Sequence, residues 1–225
     1  MIREFLNLLR KDNLLVQAVR ECEEMLDLCH AMVTASVESL RHRDDAAIDI
    51  DVYGMDKRLN AFERDVRRKV MTHLSLGNTA DISSGLVLVS IVVDIERIGD
   101  YSKNIYDLAR HHPSRLHAGE LEEELAAIER EALTNFDRTV RAFKESDRSE
   151  ASSLMQGYKA DISSRCKDIE AKLVAGKIAL SPGDAVAVAL YVRFLKRISA
   201  HSRNLISSLV NPFHRLGYRE KPKTS

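Results

Sequence analysis

Twelve residues, Asp94-Ile-Glu-Arg-Ile-Gly-Asp-Tyr-Ser-Lys-Asn-Ile105, return in altered form 100 residues later as Phe194-Leu-Lys-Arg-Ile-Ser-Ala-His-Ser-Arg-Asn-Leu205. Arg97 aligns with Arg197, Ile98 with Ile198, Ser102 with Ser202 and Asn104 with Asn204, whereas Glu96 becomes Lys196 and Asp100 becomes Ala200. A second pair, Val37-Glu-Ser-Leu-Arg-His-Arg-Asp44 and Val140-Arg-Ala-Phe-Lys-Glu-Ser-Asp147, sits at nearly the same separation. A period this long in a 225-residue chain means a tandem duplication of one helical unit rather than a short-repeat solenoid. One copy has kept its acidic groups and the other has lost them.

Composition fixes the class of that unit. Aromatic residues make up only 5%, Trp is absent and Pro occurs four times, while charged residues reach 30%. This balance predicts an all-α protein. The longest apolar stretch, Gly85 to Val93, is closed by Asp94 at about half the length a membrane span needs. Charge at Arg3 and Glu4 breaks any leader-like apolar run, so the expectation is a cytoplasmic protein that meets a membrane only through a partner. A formal charge of zero disfavours nucleic acid. Cys22, Cys29 and Cys166 form no CxxC motif and are expected to be buried, reduced thiols.

Helix signals place six helices near residues 3–43, 46–75, 80–110, 119–146, 148–176 and 183–210, with Asp81 and Ser83 as caps of the third and Ser181-Pro182 opening the sixth. The expected organisation is a first three-helix repeat over 1–112, a linker over 113–118, a second, degenerate repeat over 119–212 and a basic flexible tail over 213–225. The two three-helix bundles are expected in tandem or packed as one six-helix unit. His111, His112 and His117, around the linker, read as solvated loop histidines.

On the third helix Glu96, Asp100, Asn104 and Asp107 fall on one stripe, opposite Ile91, Ile95, Ile98, Ile105 and Ala109. The acidic ladder is therefore expected to face away from the core, with Lys103 inside it. Asp49, Asp56, Asn60 and Glu63 form a similar stripe on the second helix. Two neighbouring helices would then offer oxygen ligands to one cation, suited to magnesium, calcium, manganese or iron. The same spacing also describes an ordinary solvated helix face. The matching stripe of the second repeat, Lys196, Ala200, Arg203 and Asn204, cannot hold a cation. Arg97 and Arg197 recur in both copies, either as partner contacts or as stems covering the bundle; Tyr101, opposite His201, reads as packing at the core edge.

Ala80-Asp-Ile82, a dozen residues of apolar helix, then Asp94-Ile-Glu-Arg-Ile-Gly-Asp100 and Asn104-Ile105 together resemble the PhoU family of phosphate-transport regulators. The resemblance implies tandem three-helix bundles with Glu/Asp-x-x-x-Asp motifs that hold surface iron or zinc; Glu96 and Asp100 match that motif. Asn104 and Asp81 match the residues that accompany it, while Ser83 stands where the family has Arg. It further implies restraint of phosphate uptake and of a phosphate-responsive sensor kinase, through contact with the transporter or its ATPase. The alternative is a metal-free helical scaffold accessory to a sodium-coupled phosphate transporter, and a homodimer is expected. The chain has no Glu-x-x-His pair, no HExxH, no P-loop, no GxGxxG and no GxSxG, so no enzyme is expected.

Overall fold

The computed structural model describes residues 13–76, 79–157 and 161–218. The described residues form helices joined by loops and short 3-10 turns, with no strand among them. We number the helices α1 (Leu14–His42), α2 (Val52–Ser75), α3 (Ile82–His111), α4 (Glu122–Lys144), α5 (Arg148–Gly157), α6 (Asp161–Val174) and α7 (Pro182–Ser207). The first repeat is α1–α3. The second is α4 to α7, its middle helix described as α5 and α6 on either side of residues 158–160, which lie outside the described residues.

Helix starts follow their caps. Asn13 is extended and its side chain accepts from Leu15 N at 2.8 Å, so α1 begins at residue 14 rather than at 3; residues 1–12 lie outside the described residues. Asp51 accepts from Gly54 N at 2.9 Å and starts α2 six residues later than the pattern suggested. Asp49 is consequently off the helix, exposed, and 3.5 Å from Arg43. Ser181 caps α7 by accepting from Asp184 N, with Pro182 in the first turn. Asp81 occupies the cap position of α3 but makes no capping bond; its carboxylate lies 2.8 Å from His73 Nε2 and ties the end of α2 to the start of α3.

Apolar side chains from both repeats merge into one hydrophobic core. Helix α3 is its axis, packing on α1, α2 and α7. A buried polar clasp joins the repeats at the linker. Arg41 donates from Nε to Glu129 at 2.9 Å, and also to Glu122 and to the Leu116 carbonyl. Tyr191 completes the clasp by donating to Glu129 at 2.8 Å. The linker is accordingly seated: Leu116 is buried, and the His112 ring, expected to be solvated, is buried against Asp184 at 3.0 Å. The segment 213–218, the part of the expected flexible tail that is described, also packs. Asn211 Nδ2 donates to the carbonyls of Arg215 and Tyr218, and Gly217 N donates to Ser207 Oγ.

Gly99 sets how closely α2 approaches α3. A Cβ at this position would stand 2.2 Å from Leu59 Cδ1 and 3.6 Å from Cys29 Sγ, and Leu59 is itself buried. Gly99→Ala should therefore destabilise the fold by about 1–3 kcal/mol through overpacking. In a Leu59→Ala background, itself costing about 2–5 kcal/mol, the sign should reverse, because the room is free and Ala gains about 1 kcal/mol over Gly in a helix. Urea unfolding of the four proteins in this cycle checks both signs.

Candidate functional site

The close approach at Gly99 brings the two predicted stripes together along the α2–α3 seam. Lys103 lies in that seam. Its ammonium donates to Asp56 Oδ1 at 2.8 Å and to Asp100 Oδ1 at 3.2 Å, joining the two helices through one cation. Asp100 is also held by Arg97 Nη1 at 3.0 Å. Glu63 pairs with Arg67 on its own helix at 2.9 Å. Asn60 donates its amide to the Asp56 carbonyl at 2.9 Å, which leaves its side-chain oxygen as the end able to accept.

Glu96 departs from expectation. The stripe was predicted to face away from the core, yet Glu96 is only 8% exposed, because α2 packs over this part of α3. Its Oε2 is buried without a hydrogen-bond partner, with Arg97 Nε 3.5 Å away. Burial raises the Glu96 pKa; nearby Asp100 adds to the rise, Arg97 opposes it, and Glu63 and Asp56 add again. Lys103 is affected oppositely. Burial would lower its pKa, but its bonds to Asp56 and Asp100 outweigh that and raise it.

Two predicted residues lie elsewhere. Asp107, further along α3, accepts from Tyr53 Oη at 2.5 Å, and Arg110 donates to the same hydroxyl at 2.9 Å. Asp81 sits at the end of the bundle against His73. Asn104 follows Lys103 and is half-buried. The seam thus gathers Asp56, Asn60, Glu63, Glu96, Arg97 and Asp100 with Lys103. Among the described residues no three His, Cys, Asp or Glu side chains converge as a metal-ligand set. With Lys103 between Asp56 and Asp100, and Arg67 on Glu63, this arrangement does not fit the iron or zinc ion implied by the resemblance.

A second polar cluster escaped the sequence reading. Asp94 Oδ1 accepts from His201 Nδ1 at 2.7 Å and from Asn204 Nδ2 at 2.9 Å. Arg197 donates from Nε to the Tyr101 hydroxyl at 3.2 Å and lies 3.1 Å from His201 Nε2. Tyr101 stacks on His201 with ring centroids 5.8 Å apart. The signal was the aligned motifs themselves, since equivalent positions of two copies meet when the copies pack around a shared pseudo-two-fold axis.

The raised pKa of Glu96 has a definite sign. A carboxyl whose folded pKa exceeds its unfolded value of about 4.3 loses stability as pH rises through the folded value. Glu96→Gln should therefore be more stable than wild type at pH 7, and the gain should close as pH falls towards 4. Denaturant melts across this range test it.

Comparisons with known proteins bear on the same helices. The family model of the PhoU domain matches residues 22–109, which run from α1 through α3. Two homologues named phosphate-specific transport system accessory protein PhoU, from Xylella fastidiosa strains Temecula1 and 9a5c, are each 34% identical over 95 residues. That alignment takes in 42% of this chain and 39% and 40% of the relatives, so the chain spans about two fifths of their length. The crystal structure of PhoU from Pseudomonas aeruginosa superposes with a TM-score of 0.74 at 20% identity, covering 89% of this chain and 97% of that one. The phosphate transport system regulatory protein PhoU from Streptococcus pneumoniae gives 0.66 at 18% identity, covering 87% and 91%. These two establish the shared fold. The chain is thus similar to the PhoU family over the helices that build the seam, and it shares the fold of PhoU structures over most of its length.

Proposed function

We propose that this protein regulates phosphate transport by docking a helical face onto a phosphate-transport partner, either the transporter's ATPase or the associated sensor kinase. The observation that carries the reading is the coincidence of the PhoU-domain match, residues 22–109, with the helices that build an ion-paired seam. Phosphate-specific transport is what its relatives' names describe. Beside the seam, the outer side of α2 presents Lys57, Arg58 and Arg64, all exposed. Such a row of cations complements an acidic surface and steers association with it.

Binding rather than catalysis is the mode this chemistry supports. Cys22, Cys29 and Cys166 are buried and free, and burial pushes the Cys22 and Cys166 thiols up to about 12 and the Cys29 thiol higher still. Thiols so placed stay protonated and do not serve as nucleophiles. Among the described residues no helix is long and apolar enough to cross a membrane. We place the protein in the cytoplasm, reaching the membrane through its partner.

Deleting the gene in its host should raise phosphate uptake under phosphate-replete conditions, and the wild-type chain should restore restraint. A Lys57→Glu/Arg64→Glu variant should keep the wild-type melting temperature, because both side chains are exposed, yet fail to restore restraint or to co-purify with the transporter's ATPase or the kinase. Unchanged uptake in the deletion strain would sink this reading.

A further inference from the structure

The seam between α2 and α3 has the polarity of a cation site, and the chain supplies a cation of its own. Asp56 and Asp100 approach from facing helices, and both accept from Lys103, at 2.8 and 3.2 Å. Asp100 is also paired with Arg97 and Glu63 with Arg67, while Glu96 Oε2 lies 3.5 Å from Arg97 Nε without a hydrogen bond. The Lys103 side chain is 23% exposed, against 15% for Asp56 and 25% for Asp100. The pairing is thus partly withdrawn from water, where ion pairs are screened less than at an open surface.

The second repeat offers an independent comparison. Its motif has Lys196 and Ala200 where the first has Glu96 and Asp100, so its carboxylate ladder is gone. Its middle and last helices are nevertheless joined by a lysine. Lys196 on α7 donates to Glu170 on α6 at 3.4 Å. Both repeats therefore link their second and third helices through an ammonium and a carboxylate, from different positions of the motif. A metal ion would have to displace Lys103 from two carboxylates before it could collect ligands.

We infer that the ammonium of Lys103 is the built-in counter-cation of the first-repeat seam, pinning α2 to α3 in place of a metal ion. An ammonium supplies one positive charge and three donors on a flexible stem. It can satisfy one oxygen from each helix without the ligand number or geometry that iron or zinc demands. The docking role proposed above does not depend on this assignment.

The test compares tag-free wild type, Lys103→Met and Lys103→Met/Asp100→Asn. Each is melted in chelator and after addition of zinc, manganese or iron(II), and its metal content is measured by elemental analysis. Wild type should carry no stoichiometric metal, and its melting temperature should be the same in chelator and in metal. Lys103→Met should melt roughly 2–4 °C lower in chelator, because Asp56 and Asp100 then repel each other. It should also gain metal that raises its melting temperature, since a ligand bound only by the native state stabilises it. That gain should disappear in the double variant. Stoichiometric metal in wild type, with a melting temperature that chelator lowers, would overturn the inference. So would a Lys103→Met protein that neither loses stability nor gains metal. Should Lys103→Met fail to fold, the wild-type metal content and its response to chelator decide alone.

Discussion

The fold turns on the crossing of α3 with α7, where the two copies of the repeated motif meet. Position 94 of the first copy meets positions 201 and 204 of the second, as Asp94 accepting from His201 and Asn204. Position 194 meets position 101 in return, as Phe194 against Tyr101 with ring centroids 6.0 Å apart. Tyr101 and His201, equivalent in the alignment, stack on one another across the crossing. The contact is that of a pseudo-symmetric dimer in which one half of each reciprocal pair is polar and the other aromatic. Once the halves are fused in one chain, selection can change one side of such a pair without the other. The crossing accordingly has Phe194 where the first copy has Asp94, and it keeps Asn204, which the interface uses.

The crossing also divides α3 into two working sides. Asp94, Ile98, Tyr101 and Ile105 lie on one side, towards the core and α7, whereas Glu96, Asp100, Lys103 and Asp107 lie on the other, towards α2. Helical periodicity separates the groups, and one motif therefore serves as inter-repeat interface and as charged seam. Arg41 fixes the same relationship from the linker end by joining α1 to Glu129, Glu122 and the Leu116 carbonyl. A buried guanidinium with several acceptors contributes little net stability over an apolar core, but losing one partner strands charge, at a cost of about 3–5 kcal/mol. Its pKa is raised, because the bonds to Glu122 and the charge of Glu129 outweigh burial, so it stays charged throughout the pH range in which the fold persists.

The helical class, the duplication and the ends set by strong caps were legible in the sequence. Ser181-Pro182 opens α7 as its chemistry requires. The start of α2 was misplaced because residues 46–51 carry no proline or glycine to mark a break, whereas the backbone turns at Ala46, whose φ is +51°. Of the expected tail, only residues 213–218 are described, and they are seated rather than extended. What seats them is Asn211, whose amide reaches two carbonyls later in the chain, a contact without periodicity. The seam was legible in its members and not in its balance. Spacing placed Asp56, Glu63, Glu96 and Asp100 on facing stripes but could not tell that α2 would bury Glu96 or that Lys103 would reach across.

That last difference is one of distance rather than of pattern. A helical stripe reports direction around an axis, whereas the charge state of a seam depends on how close the axes come. Here the closeness traces to Gly99, whose missing side chain admits Leu59. The approach does two things at once. It withdraws Glu96 from water, so that an ionised carboxylate is held at a cost, and it brings Asp56 within reach of a lysine on the opposite helix. A wider seam would leave every carboxylate solvated and Lys103 free to extend into water. The same glycine that lets the first repeat pack tightly thus converts a ladder of surface carboxylates into a semi-buried site that needs a cation. In the second repeat Ser199 takes its place, and the carboxylates of the motif are absent with it.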